Sequence, residues 1–215
     1  HVFCGHAHIV EEDRRIHMVG TTAFEEVGLA KLADKKSLAK RFSLDAKLPW
    51  ILFVQHPAPL DVTSVREQIA ASLDALKGIP AEKIIIYPNS DTGADIVIRS
   101  IETLRGKSQM HIHTSLPRQV YLAFLKASDV MVGNSSSGIV EAGHFHKPVV
   151  DVGNRQKGRE HGPNVVHVPY DEKKIAAAIA MGLSAKFKEA CELMTHPYMT
   201  STASEKIVHT LENLC

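Results

Sequence analysis

From Trp50 onward, short apolar runs alternate with amphipathic segments, and no other feature of the chain constrains its fold as tightly. Trp50-Ile51-Leu52-Phe53-Val54 is apolar throughout, the pattern of a strand covered on both faces. A helix follows. Ser64 and Glu67 have the spacing of a capping box, Val65, Ile69, Leu73 and Leu76 form one stripe, and Gly78 and Pro80 end it. The series continues with a strand at Ile84 to Tyr87, a helix from Ile96 to Leu104 and a strand at Met110 to His113. Pro117 opens a helix carrying Val120, Tyr121, Phe124 and Leu125. Strands are expected at Asp129 to Val132, Pro148 to Val152 and Asn164 to Val168, with a helix between the first two. Asp171 caps a helix with Ile175, Ile179 and Leu183, and Thr202 with Glu205 opens a last one carrying Ile207, Leu211 and Leu214. Alternation at this spacing implies right-handed crossovers and an α/β fold: a Rossmann-like parallel sheet with helices on both faces.

Residues 25–200 are expected to form this domain, and residues 201–215 a C-terminal helix. Leu29 to Lys47 reads as a solvated helix and connector. Val2-Phe3-Cys4 and Ile16 to Val19 read as short strands, and residues 1–24 as the remnant of a preceding domain or an inter-domain segment. The chain starts at His1, so a fragment of a longer protein is expected. A formal net charge of +1 gives no reason to expect nucleic acid or a membrane surface as partner, and no apolar run approaches a membrane span. Cys4, Cys191 and Cys215 are too scattered for a disulfide framework, so a cytoplasmic setting is the expectation.

One polar turn carries the clearest functional signal. Gly133-Asn134-Ser135-Ser136-Ser137-Gly138 follows a strand and opens a helix, where small residues, free amides and the helix dipole suit an anion such as a pyrophosphate. Glu141, four residues after Ser137, shares its helix face and is placed to accept hydrogen bonds from two ribose hydroxyls. A serine-rich cap beside a solvated Glu fits this segment equally well. The wider pattern favours a site, because ligands of parallel sheets bind at the carboxyl ends of strands. His56, Asn89 with Asp91, Thr114 with Ser115, the serine triplet, and Arg155 with Arg159 follow five successive strands.

Several clusters carry plainer readings. Asp91 reads equally as a helix N-cap. Cys4, His6 and His8, the pair His111 and His113, and the pair His144 and His146 are not brought together by anything in the sequence, so no metal is expected. The serine triplet lacks nucleophile-elbow spacing, which sets a serine hydrolase aside.

Gln55-His56-Pro57, Pro88-Asn89-Ser90-Asp91-Thr92-Gly93, the serine turn with Glu141, and Gly153-Asn154-Arg155-Gln156-Lys157-Gly158-Arg159-Glu160 occur in this order. Together they resemble the UDP-N-acetylglucosamine 2-epimerase family, especially its hydrolysing branch in sialic-acid and related pathways, over roughly Leu48 to Val168. The resemblance implies the C-terminal, UDP-binding half of a glycosyltransferase-B fold, without a cofactor. It implies that Ser135, Ser136 and Ser137, with Gly138, hold the diphosphate and that Glu141 binds the ribose. It gives Arg159 the phosphate charge, and His56 the catalytic position facing diphosphate or sugar. Asn89, Asp91 and Gly93 fall near the sugar or an inter-domain contact, and Leu116 with Pro117 near the uracil. The family reaction eliminates UDP to a 2-acetamidoglucal; the hydrolysing branch then adds water to give N-acetylmannosamine. The proton-abstracting carboxylates of the family sit in the other half, and Glu11, Glu12 and Asp13 lack their surroundings. The expected partners are therefore a UDP-sugar, a missing N-terminal half and, at full length, a second copy in a homodimer. The chain alone is expected to bind UDP weakly and not to turn over. Two other readings stay open, a UDP-sugar glycosyltransferase domain and a non-catalytic nucleotide-binding module.

Overall fold

The computed structural model describes residues 2–3, 16–20, 22, 31–198 and 202–213. The elements in chain order are β1 (Val2–Phe3), β2 (His17–Met18), α1 (Lys35–Phe42), β3 (Trp50–Val54), α2 (Val65–Lys77), β4 (Glu82–Ile86), α3 (Ala94–Glu102), β5 (Met110–His113) and α4 (Arg118–Ala127). Then come β6 (Val130–Gly133), α5 (Ser136–Val140), a 3-10 turn (Ala142–Phe145), β7 (Val149–Val152), β8 (Val165–Val168), α6 (Glu172–Leu183), α7 (Ala185–Glu192) and α8 (Ala203–Glu212). β1 and β2 pair with each other, apart from the main sheet.

The main sheet has the order β5-β4-β3-β6-β7-β8, with every pairing parallel. Strand side chains alternate between faces, so each strand feeds two cores. Leu52, Val54, Ile84 and Ile86 pack with Phe124 and Ile139, on the side of α1, α4 and α5. Ile51, Phe53 and Ile85 pack with Ile69, Ile101 and Ile179, on the side of α2, α3 and α6. Two buried faces explain why β3 is fully buried along its length. The parallel, doubly covered sheet is the architecture that the alternation predicts.

Local signals hold in most places. Ser64 and Glu67 form the capping box, and Asp171 accepts from the Lys174 amide. Two expected caps are corrected, and one helix was not anticipated. Asp91 does not cap α3: Gly93 takes that position at φ 91°, while the Asp91 side chain accepts from Asn89. The Thr202 side chain makes no capping bond to α8. Beyond Leu183 a further helix, α7, begins at once; Ser184 ends α6 through its amide and caps α7 with its hydroxyl. Only Cys191 of α7 is buried, so the sequence carries no apolar stripe to announce it. The segment expected to be a solvated helix and connector does form a helix, α1, which buries Leu38 and Ala39 on one side. The domain boundaries at residues 24 and 200, the cluster Cys4, His6 and His8, the acids Glu11, Glu12 and Asp13, and Leu214 lie outside the described residues.

Candidate functional site

Strand order reverses between β3 and β6, and the crevice at their carboxyl ends is where a sheet of this kind leaves room for a ligand. The two strands come very close there. A Cβ on Gly133 would lie 2.0 Å from the Val54 carbonyl oxygen, and its φ is 129°, so only glycine serves. The next residue, Asn134, is fully buried. Its Oδ1 accepts from the His56 amide at 2.7 Å and its Nδ2 donates to the His56 carbonyl at 2.9 Å. A side chain thereby continues the ladder by one step and fixes the backbone of His56.

The Asn134 carbonyl in turn collects the loop after β7. It accepts from Gln156 Nε2 at 2.8 Å and from an Arg155 guanidinium nitrogen at 3.1 Å. Gln156 Oε1 accepts from Arg159 at 3.0 Å. One continuous chain of hydrogen bonds thus runs from His56 through Asn134 and Gln156 to Arg159. The sequence reading missed Asn134 and Gln156, both buried polar residues inside quoted motifs; their position next to His56 and Arg159 was the available clue.

Ser135 caps α5, with its Oγ accepting from the Ser137 amide at 3.4 Å. Ser137 Oγ donates to Glu141, whose other oxygen pairs with Arg118 at 2.5 Å. The i to i+4 relation of Ser137 and Glu141 is therefore realised as a direct bond. Tyr121 of α4 brings its hydroxyl to Ser137 and Ser135; burial raises its pKa, so it stays a neutral donor. Arg118 and Tyr121 were not singled out from sequence. The helical spacing of Tyr121 reads as core, and Arg118 belongs to none of the quoted motifs.

These groups surround a cavity of about 450 Å³. Its polar wall is His56, the three serines, Glu141 and Arg159, with Arg118 and Tyr121 bonded to Glu141 and the serines; Val54, Ile86 and Val140 supply apolar lining. The size lies within the range of small-molecule sites. Loops after β3, β4, β6 and β7 meet here, and β5 contributes through α4.

His56 is half-buried, and burial lowers its pKa; the Arg155 charge lowers it further, against Asn89 and Asp91. The neutral ring is favoured at neutral pH. Its Nδ1 lies 3.0 Å from the Asn89 amide and 3.0 Å from Asn89 Oδ1. A neutral ring accepts the amide proton at Nδ1 and carries its own proton on Nε2; a protonated ring donates to Oδ1. Both states have a partner, a setting suited to proton transfer.

The other expected residues stand further back. Asn89 and Asp91 are exposed; Asn89 Nδ2 donates to Asp91 at 2.6 Å, and an Arg155 nitrogen lies 3.9 Å from the same carboxylate. Gly93 packs beside Pro57 and Val65, Gly138 against Val149, and Leu116 against the core on the α4 side. None of these five lines the cavity. His111 pairs with Glu82 at 2.7 Å, His113 stacks edge-on against Phe42, and His146 bonds the Cys191 carbonyl at 3.0 Å. Among the described residues no three His, Cys, Asp or Glu gather as a metal site. The motif after β7 has two sides. Arg155, Gln156 and Arg159 turn towards Asn134, whereas Gly153, Asn154, Lys157 and Gly158 line a second cavity of about 620 Å³ with His167 and Tyr170.

The Rossmann-like sheet carries a serine-lined crevice with Arg118 and Arg159 at its switch point, the place where α/β domains of this kind bind small molecules. The family model for UDP-N-acetylglucosamine 2-epimerase matches residues 7–212, and the chain belongs to that family. It is 31% identical over 206 residues to a hydrolysing UDP-N,N'-diacetylbacillosamine 2-epimerase of Legionella pneumophila, covering 95% of this chain and 53% of that protein. It is 29% identical to the polysialic acid biosynthesis protein P7 of Escherichia coli, covering 90% and 50%. The UDP-GlcNAc 2-epimerase of Neisseria meningitidis, solved bound to UDP-GlcNAc, shares the fold with a TM-score of 0.75 at 19% identity, covering 94% of this chain and 57% of that one. The chain spans about half the length of the relatives it matches.

Proposed function

We propose that this chain is the UDP-binding half of a hydrolysing UDP-N-acetylglucosamine 2-epimerase, acting on UDP-N-acetylglucosamine or a diacetylated bacillosamine analogue. The observation that carries this reading is the convergence of His56, Ser135 to Ser137, Glu141 and Arg159 on one cavity. In this reading the start of α5 and Arg159 take the diphosphate. Their dipoles and charge already point where the leaving group becomes more negative, so little reorganisation is needed as the glycosidic C–O bond breaks. Glu141 takes the ribose hydroxyls once Arg118 yields its carboxylate oxygen. His56 faces the departing phosphate with a proton on Nε2 and is the candidate catalytic residue. In this reading the carboxylates that remove the sugar proton belong to the other half of the full-length enzyme, which works as a homodimer. A cytoplasmic place in sialic-acid-type biosynthesis completes the reading, supported by the scattered cysteines and by the names of the relatives.

Titration calorimetry of the chain with UDP and with uridine tests this. Expected are binding that requires the diphosphate and no steady release of UDP from UDP-N-acetylglucosamine. Equal binding of uridine and UDP, or no binding of UDP, sinks it.

A further inference from the structure

A second hydrogen-bonded chain lies outside this cavity, at the foot of the loop that carries Gln156 and Arg159. Asp151 on β7 and His167 on β8 are register partners, and Asp151 Oδ2 lies 2.7 Å from His167 Nδ1. His167 Nε2 lies 2.9 Å from His161 Nε2, and His161 Nδ1 lies 2.9 Å from the Gly162 carbonyl. Asp151 is 2% exposed. Counting protons settles what this geometry requires. Three links need three protons between them, the carbonyl can only accept, and two neutral imidazoles bring only two. Every arrangement that satisfies all three links therefore holds one proton more than a carboxylate with two neutral rings.

We propose that Asp151, His167 and His161 form a one-proton latch that fastens the end of the 153–162 loop to the sheet and releases it when that proton is lost. The loop is also held by Asn134 through Gln156 and Arg155, and by the Tyr198 hydroxyl, which donates to the Glu160 carbonyl at 2.8 Å. Arg159 lies between the Asn134 fastening and the latch, so releasing the latch removes one of the holds on the segment that carries this residue of the cavity. The three side chains act as positioning residues. Burial pushes the Asp151 carboxyl up, against His167, His161 and Arg155, in the direction of holding the proton. The charged and titratable neighbours are Arg155, Tyr170 with its hydrogen-bonded Asp61, Lys157 beside His167 in the second cavity, and His196 packed at Gly162. The sign follows from proton counts. The fastened triad holds one proton more than a carboxylate with two neutral rings, so fastening takes up a proton wherever the open triad has released it, and the contribution of the latch falls as pH rises.

Asp151→Asn gives a direct test, because the amide supplies the third proton permanently. Amide hydrogen exchange of residues 154–162, corrected for the intrinsic rate, is measured on the chain between roughly pH 6 and pH 9. The original chain is expected to lose about tenfold protection across that range, Asp151→Asn to stay protected throughout, and His161→Ala to be open already at the acid end. Protection that is flat with pH in the original chain, an equal pH dependence in Asp151→Asn, or full protection in His161→Ala overturns the latch. The inference deepens the reading of Arg159 as a diphosphate ligand, and that link has its own readout. UDP affinity should fall with pH in the original chain and less so in Asp151→Asn. Absence of UDP binding refutes the nucleotide reading and leaves the exchange result standing.

Discussion

The two rims of the same sheet use similar residues to opposite ends. At the amino rim Asp129, Glu82 and Lys83 close on the fold. Asp129, just before β6, accepts from the Trp50 amide at 2.9 Å and pairs with Lys35 at 3.1 Å and Lys188 at 2.6 Å. Burial alone would raise its pKa, yet Lys188, the Trp50 amide and Lys35 together hold it below the usual carboxylate range. Lys83 donates to the Ile79 carbonyl, and Glu82 takes both His111 and the Asp45 amide. At the carboxyl rim Arg159 bonds Gln156 and Glu141 bonds Ser137 and Arg118, and Arg159, Glu141, Ser137 and Arg118 all line the cavity. A charge whose partners are all packed into the fold is structure; one that shares a cavity wall with its partners is the candidate for a site. The distinction rests on where the group and its partners face, not on residue type.

The sharpest way to break this contrast is to close the carboxyl rim. Gly133→Ala drives a Cβ into the Val54 carbonyl and is expected to cost about 3 kcal/mol or more in urea unfolding. A loss below about 1 kcal/mol would mean that the two strands separate easily there. Next, Arg159→Ala should weaken UDP binding roughly a hundredfold while moving stability by less than about 0.5 kcal/mol. Asp129→Ala should show the reverse pattern: a loss of about 2 kcal/mol in stability and unchanged UDP affinity in calorimetry. If Asp129→Ala altered affinity as strongly as Arg159→Ala, the division of the rims into structure and site would fall.

Much of the core and several helix starts were legible in the sequence because they obey local rules. A fully apolar strand such as Trp50–Val54, a capping box at Ser64 and an acid at Asp171 each act within a few residues. The helix α7 escaped because a single serine serves as end and start, and because the helix buries almost nothing. At the carboxyl rim, sequence order could place His56, the serines and Arg159 after the right strands. It could not show that Asn134 joins them, since that depends on a side chain bonding across 78 residues. Nor could it show that Arg118 would reach Glu141 from another helix, or that Asn89 and Asp91 would stand behind His56 instead of in the cavity. The paired histidines illustrate the same limit. His161 and His167 lie six residues apart in an unremarkable loop and strand, and only the register of β7 with β8 sets Asp151 against them.

The smallest expected effect separates the rims by pH. A carboxylate with a lowered folded-state pKa gives stability that is present above the unfolded value and lost as pH falls through the folded one. Asp129 is such a group, so acidification through the carboxylate range should erode its contribution. The erosion should be less than in Asp129→Ala, because a protonated carboxyl still accepts from the Trp50 amide while losing its hold on Lys35 and Lys188. Urea titrations of the original chain and of Asp129→Asn across this range isolate the term: the slope of stability with pH should be shallower in the variant. His56 contributes in the same direction but in the imidazole range, since its pKa is lowered and acid must charge a half-buried ring. Two separate steps in the curve, the upper one abolished by His56→Asn and the lower one made shallower only by Asp129→Asn, would assign one titration to each rim. A single step removed by either substitution would show that the rims are linked and that the contrast between them is too simple.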